Sequence, residues 1–321
     1  MPLLLRFLGT SASRPTVERG VSAIAVEREG ETLLFDCGEG TQRQMMRYGV
    51  SFTLRDIFFT HFHADHFLGL PGLLRTMALQ GRTDAMHVWG PSGASRILKQ
   101  AASLGAERPT FGLEIHELEP GSTVKRGEYA IVATAALHRG PTALTYAIVE
   151  DERRGRFNPE RAREMGIPEG PLWGRIHKGE TITLDDGRSV APSALVGPTR
   201  TGRRIAITGD TRPCDATIEV ARGADLLVHE ATFTEEEAVR ARETGHSTAR
   251  EAAQVAQRAG VRRLVLTHLS ARYTRDTSEL EREAREIFPA TTIARDGMEI
   301  DVPYADDTAA IDTTAAEAGR V

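Results

Sequence analysis

The stretch Thr60-His61-Phe62-His63-Ala64-Asp65-His66 limits what this chain can fold into more than any other, because it places three imidazoles and one carboxylate within six residues. The apolar residues Ile57-Phe58-Phe59 precede it and an apolar-periodic run from Phe67 to Leu79 follows, which predicts a turn between a buried strand and a helix. Histidine and aspartate donors suit zinc, and the H-x-H-x-D-H spacing predicts alternate residues on one side of an extended turn. The stretch therefore indicates a site for one metal ion or a pair. A surface loop that is merely rich in histidine is the alternative.

Length and charge allow several classes of protein. The chain has 321 residues, enough for one or two domains, and its net charge of −5 argues against a uniformly basic nucleic-acid binder. A local basic patch could still attract a polyanion. The two cysteines, Cys37 and Cys214, are too few and too far apart for a disulfide framework or a cysteine-ligated zinc, which favours a reducing cytoplasm.

The first residues do not predict a secretory signal or a membrane anchor. Arg6 interrupts the apolar run after Leu3-Leu4-Leu5, so an opening strand is expected instead. No apolar stretch reaches the length of a bilayer span, and no membrane partner is predicted.

Polar residues repeatedly follow predicted strands, where loops on a rigid scaffold carry chemistry. Asp36 follows the predicted strand Thr32–Phe35 and opens a glycine-rich turn before a helix over Gln42–Tyr48. We interpret Asp36 as a residue that orients a metal-bound histidine, although such a turn could simply cap the helix. Later polar residues in comparable positions are His138, Asp210, His229, Glu230 and His268, and His246 precedes a predicted helix over Ala249–Ala259.

The remaining predicted elements are strands Leu3–Leu8, Ser22–Val26, Met86–Trp89, Glu114–Leu118, Tyr129–Ala133, Arg204–Thr208, Leu226–Val228 and Leu264–Leu266, with a helix ending near Leu104. Three other histidines, His87, His116 and His177, are interpreted as ordinary core or surface residues because a lone histidine usually is one.

Two segments repeat one pattern. Arg55 to Phe62 and Arg262 to Leu269 share a basic start, a short apolar strand, then Thr-His and an apolar residue. A two-half architecture would bring His61 and His268 to a common edge.

Residues 150–189 differ from the rest, being rich in charge, glycine and proline with little apolar periodicity. From Glu152 to Lys178 there are seven arginines or lysines against four acids, and Trp173 is available either to stack on a base or to pack within the segment. A protruding flexible arm is predicted, with an ordinary solvated insertion as the alternative. Residues 1–304 are predicted to form a single catalytic domain around this insertion, and residues 305–321 a disordered tail.

Together these motifs resemble the ribonuclease Z family, the tRNA 3′-processing endonucleases of the metallo-β-lactamase superfamily, over Leu5 to about Val302. The motifs that carry the resemblance are Asp36-Cys37-Gly38-Glu39-Gly40-Thr41-Gln42-Arg43, H-x-H-x-D-H, His138, Asp210, His229-Glu230-Ala231-Thr232-Phe233, Gly245-His246-Ser247-Thr248 and Thr267-His268. The resemblance implies an α/β fold, an αββα sandwich of two mixed β-sheets with helices outside.

The resemblance also implies the ligand sets and the reaction. His61, His63 and His138 would hold one zinc; Asp65, His66 and His268 would hold the other; and Asp210 would bridge them. Manganese or iron could replace zinc. Asp65 would take a proton from the attacking water, and His246 polarised by Glu230 would be the general acid. The implied enzyme is a zinc-dependent endoribonuclease that leaves a 3′-hydroxyl on the tRNA and a 5′-phosphate on the trailer.

For the insertion, the resemblance implies an arm that grips precursor tRNA, in a cytoplasmic homodimer whose arm serves the partner's active site. The arm residues would be Arg153, Arg154, Arg156, Gly170, Pro171, Trp173, Arg175 and Lys178. Two alternatives remain open: a phosphodiesterase or ester hydrolase of the same superfamily acting on a small molecule, and an inactive RNA-binding relative.

Overall fold

The computed structural model describes residues 2–105, 109–140 and 142–306. The chain divides into a larger unit, residues 1–149 with 203 onwards, and a smaller unit, residues 150–202. Most of the predicted disordered tail, from residue 307 on, lies outside the described residues. No helix in the described ranges has the length and apolarity that a membrane span requires.

The larger unit contains most of the secondary structure. Its strands are β1 (Leu3–Gly9), β2 (Ala23–Arg28), β3 (Glu31–Phe35), β4 (Asp56–Phe58), β5 (Met86–Pro91), β6 (Leu113–Leu118), β7 (Thr123–Arg126), β8 (Tyr129–Ala136), β9 (Ala143–Glu150), β12 (Arg204–Ile207), β13 (Leu226–Glu230), β14 (Leu264–Thr267), β15 (Thr291–Ile293) and β16 (Glu299–Asp301). Its helices are α1 (Thr41–Tyr48), α2 (Ala64–Phe67), α3 (Leu70–Leu79), α4 (Ala94–Ala102), α7 (Asp215–Ala221), α8 (Ala238–Thr244), α9 (Ala249–Ala259) and α10 (Ser278–Ile287), with short 3-10 turns at Glu235–Glu237 and Ala271–Tyr273.

Two seven-stranded sheets make up the centre of this unit. The first has the strand order β16-β1-β2-β3-β4-β5-β6, and the second has the order β15-β14-β13-β12-β9-β8-β7. Strands β3 to β6 are parallel, as are β12 to β15, while β1 pairs antiparallel with β2 and β16. Both sheets are therefore mixed, and the carboxyl ends of the parallel strands in each sheet share one edge.

Three apolar layers hold the sheets and helices together. Residues such as Phe7, Phe58 and Tyr146 fill the space between the sheets. Helices α1, α3 and α4 pack on the outer face of the first sheet, and α7, α9 and α10 pack on the outer face of the second. The αββα sandwich implied by the resemblance is confirmed. Each predicted strand is present within a few residues, and helix α9 has the predicted bounds.

The prediction of one helix from Phe67 to Leu79 is wrong at its start, because Phe67 ends one helix and a second helix begins at Leu70. α2 begins at Ala64 and ends at Phe67, and α3 starts at Leu70 with Pro71 in its first turn. Proline lacks the N–H that a continuous helix would need there. Gly69 separates them, and a Cβ at this residue would lie 2.0 Å from the Gly38 carbonyl oxygen.

The smaller unit has a core of its own. It contains α5 (Pro159–Glu164), α6 (Pro171–His177), a hairpin of β10 (Ile182–Thr183) and β11 (Ser189–Val190), and a 3-10 turn at Pro192–Ala194. Its buried apolar residues are Ala162, Ile167, Ile176, Ile182, Val190 and Leu195. The smaller unit thus extends to Gly202, beyond residue 189 where the predicted insertion ends. It has a core even though the segment shows little apolar periodicity.

The strands that flank the insertion are neighbours in the second sheet. β9 pairs antiparallel with β12, and Val149 lies opposite Arg204. The 53-residue insertion therefore connects two adjacent strands in the manner of a long hairpin loop.

Candidate metal centre

The H-x-H-x-D-H motif joins strand β4 of the first sheet to helix α2. His61 and His63 lie in the loop, with His63 at the N-cap of α2, whereas Asp65 and His66 belong to the helix itself. The prediction that alternate residues share one side of an extended turn is therefore wrong for the second half of the motif. The helical turn directs Asp65 and His66 to a different group of ligands.

Asp210 lies at the centre of the site, just beyond β12 of the second sheet, with its side chain 2% exposed. Its Oδ2 is 3.6 Å from His61 Nε2 and 3.9 Å from His138 Nε2. Its Oδ1 is 3.3 Å from His66 Nε2 and 3.2 Å from His268 Nε2. Each carboxylate oxygen thus faces a different group of imidazoles.

The first group consists of His61, His63, His138 and one oxygen of Asp210, whose ligand atoms all lie within 4.8 Å of one another. His138 Nε2 is 3.1 Å from His63 Nδ1. The other nitrogen of His138, Nδ1, donates to the Gly245 carbonyl oxygen at 2.8 Å, which orients its Nε2 towards the group.

The second group consists of Asp65, His66 and His268. His268 Nε2 lies 3.2 Å from Asp65 Oδ2 and 3.3 Å from His66 Nε2. Burial raises the pKa of Asp65, but the hydrogen bond with His268 and the charge of His66 outweigh it and hold this pKa well below the usual range. Asp65 is therefore an anion at neutral pH.

Two buried atoms at the centre test whether these residues suit a metal. His61 Nε2 and Asp210 Oδ1 are inaccessible to solvent and form no well-directed hydrogen bond with any part of the chain that the structure describes, although two imidazole nitrogens lie 3.2 and 3.3 Å from the carboxylate oxygen. An unpaired buried polar atom is costly, and a cation between the imidazoles and the carboxylate would satisfy both atoms. The donor set of nitrogen and oxygen atoms fits a divalent cation.

Asp36 lies behind this centre. Its Oδ2 accepts from His66 Nδ1 at 2.7 Å, and its Oδ1 accepts from the Thr60 backbone N–H at 2.8 Å. Thr60 Oγ1 also lies 3.1 Å from His61 Nδ1, so one threonine links the supports of two imidazoles. Gly209 is required beside Thr60, because a Cβ there would lie 2.6 Å from the Thr60 Cβ.

We expect Asp36→Asn to weaken metal binding by about 10- to 100-fold, because the hydrogen bond that fixes His66 loses its charge. Asparagine suits the test since Asp36 has φ +57°, a left-handed conformation that asparagine tolerates. Metal content after dialysis against graded concentrations of a chelator measures the effect. Unchanged metal retention would mean that Asp36 supports only the loop.

Sequence reasoning did not identify Ser13, Thr60 or Thr232 as parts of the site. The Ser13 backbone N–H donates to Asp65 Oδ2 at 2.7 Å. Thr232 Oγ1 donates to Glu230 Oε2 at 2.8 Å and lies 3.0 Å from His268 Nδ1. Thr232 ends the H-E-A-T stretch, which was the available signal.

Glu230 and His246 form a hydrogen-bonded pair beside Asp210. Glu230 Oε1 is 2.9 Å from His246 Nδ1, and the His246 ring keeps 12% exposure whereas Glu230 is buried. Burial lowers the pKa of His246, but the Glu230 carboxylate outweighs it and raises this pKa to about 9. Burial raises the pKa of Glu230, yet His246 brings it below the usual value. At neutral pH the pair is an imidazolium and a carboxylate.

His229 forms a hydrogen bond with the backbone at the end of strand β13. It is fully buried, and its Nδ1 donates to the Glu230 carbonyl oxygen at 2.7 Å. This bond holds the end of β13.

The eight predicted arm residues all lie in the smaller unit. Gly170 and Pro171 mark the start of α6. Trp173 packs on Phe157 at a centroid distance of 5.3 Å and donates to the Ile167 carbonyl oxygen, so its ring belongs to the packing of this unit. Packing is one of the two roles, stacking or packing, that the sequence predicted for Trp173.

Comparison with known proteins gives consistent matches. A family profile described as "Beta-lactamase superfamily domain" matches residues 31–160 and 176–269. Ribonuclease Z of Gemmatimonas aurantiaca is 68% identical over 96% of this chain and 99% of its own length, and ribonuclease Z of Myxococcus xanthus is 53% identical over 95% and 99%.

Among solved structures, the short form of human tRNase Z is 29% identical to this chain. It superposes with a TM-score of 0.68 and covers 94% of this chain and 99% of its own. The match therefore extends beyond the fold to a related sequence.

Proposed function

Because the chain belongs to the ribonuclease Z family, within the β-lactamase superfamily, we propose how its metallo-β-lactamase fold carries out the reaction of that family. The protein is a metal-dependent endoribonuclease of tRNA 3′-end processing. The position of Asp210, with one carboxylate oxygen towards each group of imidazoles, is the observation that supports the metal ligands and proton roles proposed below. The alternative, a hydrolase of small molecules, is not favoured by its relatives.

Two Zn²⁺ ions per subunit are proposed, one held by His61, His63 and His138 and one by Asp65, His66 and His268, with Asp210 shared. The two groups of ligand atoms and the two unpaired buried atoms support this count. When bound, such ions act as Lewis acids that activate water and neutralise charge on a phosphodiester.

The chain's own residues then move the protons. Asp65, held as an anion, accepts a proton from the attacking water. His246, protonated at neutral pH, keeps one proton at Nδ1 towards Glu230 and donates the proton at Nε2 to the departing ribose 3′-oxygen. The bond that breaks joins phosphorus to this oxygen, which leaves a 3′-hydroxyl on the tRNA and a 5′-phosphate on the trailer.

Mapping the ends of the products tests this assignment. Two matched precursor tRNAs, one with and one without an encoded CCA, would be cleaved and the new ends sequenced. A 3′-hydroxyl at the tRNA end and a 5′-phosphate on the trailer are expected. A 2′,3′-cyclic phosphate would instead require attack by the ribose 2′-hydroxyl and would refute the proton roles given above.

We propose that the smaller unit binds the body of the tRNA. Its charges are balanced overall, with nine arginines and lysines and nine acids over residues 150–202, so the attraction must come from particular cations. Arg154 and Lys178 are exposed, and Arg175 is in an exposed ion pair with Glu180. Such surface pairs contribute little to stability, so phosphates can compete for the guanidinium.

The triple variant Arg154→Ala, Arg175→Ala, Lys178→Ala should raise KM for precursor tRNA with little change in kcat. Three lost phosphate contacts would reduce the slope of log K against log salt by roughly two to three. Hydrolysis of bis(p-nitrophenyl) phosphate should be unaffected. The matched control, Arg222→Ala with Arg258→Ala and Arg282→Ala, removes the same charge from exposed residues of the larger unit. If the control variant weakened the binding of precursor tRNA equally, the loss would be explained by overall charge and not by the three residues of the smaller unit.

A homodimer in which the arm of one subunit serves the partner's active site is also proposed, on family membership alone. Co-expression of the triple arm variant with Asp210→Asn tests it. Mixed dimers recover cleavage if the arm acts across the dimer, because one intact metal centre then meets one intact arm. Mixed dimers without activity would place arm and centre in the same subunit.

We propose the cytoplasm as the location, where precursor tRNA is processed. Cys37 and Cys214 are both free thiols, which agrees with a reducing compartment.

A further inference from the structure

A second cluster of metal-binding side chains lies on strands β5 and β6 of the first sheet. His87 is opposite Glu114, and Trp89 is opposite His116, in the parallel pairing of these strands. Residues opposite each other on neighbouring strands share a face, which places His87 with Glu114. Residues two apart on one strand also share a face, which places Glu114 with His116. Sequence reasoning had interpreted both histidines as isolated.

The three side chains converge on a small volume. His87 Nδ1 is 3.2 Å from Glu114 Oε2 and 3.3 Å from His116 Nε2. One ligand atom from each residue lies within 4.8 Å of the other two. A neutral imidazole carries a single N–H, so Nδ1 cannot donate to both neighbours. A cation in the middle accepts electron pairs from all three at once.

The ring of His116 is supported from behind. It stacks on Trp89 with centroids 4.0 Å apart and an interplanar angle of 18°. Trp89 Nε1 donates to Asp56 Oδ1 at 2.7 Å, and Trp89 also stacks on the buried Phe58. One ligand is therefore held by the packed core, while His87 and Glu114 keep side-chain exposures of 31% and 54% through which an ion can enter.

We propose that His87, Glu114 and His116 bind a divalent transition-metal ion, zinc in the first instance, at a site separate from the catalytic centre. Two imidazoles and a carboxylate are an established zinc donor set that leaves a fourth position for water. His87 lies level with Asp56, the first residue of β4, whereas the catalytic motif follows the last residue of β4. An ion here would join the edge strand β6 to β5 and stabilise the margin of the sheet.

The test is a Zn²⁺ titration of the enzyme whose catalytic centre is already loaded. Wild-type protein should bind one further equivalent per chain, and the double variant His87→Gln, His116→Gln should not. His177→Gln is the matched control, because His177 lies in the smaller unit and contacts the Gly155 carbonyl oxygen. Added Zn²⁺ should also raise the Tm of the wild type and of the control above that of the double variant.

Glu114→Gln is a second variant in which loss of metal cannot be attributed to misfolding, because this side chain is largely exposed. It should weaken the additional site by about tenfold or more while leaving catalytic metal and cleavage unchanged. Loss of the extra equivalent in His177→Gln, its persistence in the double variant, or wild-type protein that binds catalytic metal only would each overturn the proposal.

Discussion

Replacing Asp210 by asparagine is expected to lower kcat for precursor tRNA by at least ~10³-fold, equivalent to about 4 kcal/mol of transition-state stabilisation. An asparagine side chain offers one carbonyl oxygen and one NH₂ group. Because each Asp210 oxygen faces a different group of imidazoles, the NH₂ would face one of the two groups and repel a cation there.

Metal content should fall together with activity in this variant, while retention of tRNA persists because the smaller unit is unchanged. Asp215→Asn is the control, since Asp215 is 90% exposed and pairs with Arg258 away from the site. Cleavage within tenfold of wild type would contradict the shared role of Asp210.

The second large effect concerns the proton donor. Glu230→Gln should reduce kcat for precursor tRNA by about 10²- to 10⁴-fold, the range for loss of general acid catalysis. The pKa of His246 is raised to about 9 by the Glu230 carboxylate, so a neutral amide lowers this pKa and leaves less imidazolium at neutral pH. Glu230 also accepts from the backbone N–H of Thr211 and of Thr232, so the substitution alters local packing as well.

A substrate with a different leaving group distinguishes the loss of the proton donor from the change in local packing. The p-nitrophenolate of bis(p-nitrophenyl) phosphate departs without protonation, so Glu230→Gln and His246→Asn should hydrolyse this diester nearly as fast as wild type. Metal content should stay constant in both. Equal loss on both substrates would assign Glu230 and His246 a structural role. Glu237→Gln, an exposed acid paired with Arg272, is the control.

The sequence predicted those parts of the site that local patterns encode. The H-x-H-x-D-H spacing indicated a metal site by itself, and strand exits drew attention to His138, Asp210 and His268 before the family resemblance gave them roles. Their convergence depends on two sheets packing face to face, which no local pattern contains. The hydroxyls of Thr60 and Thr232 were missed because a threonine within a few residues of a histidine is common and carries no periodic signal.

Two features escaped prediction for physical reasons. The core of the smaller unit is built from single apolar residues on two short helices, a hairpin and the loops between them, so no helical or strand period extends far enough to be detected in the sequence. His87 and Glu114 are 27 residues apart, and their contact follows from the register of β5 with β6. Register is set by tertiary packing, so a sequence pattern that treats each histidine alone cannot reveal the pair.

The antiparallel pairing of β9 with β12 makes the insertion an exchangeable cassette. Val149 and Arg204 lie opposite each other, so a two-residue turn or a longer module could connect the same two strands without altering the register of the sheet. The candidate metal ligands lie outside the cassette, in the larger unit. Under the tRNA-binding role proposed for this segment, substrate choice could diverge in evolution by replacement of one segment while the metal ligands are retained.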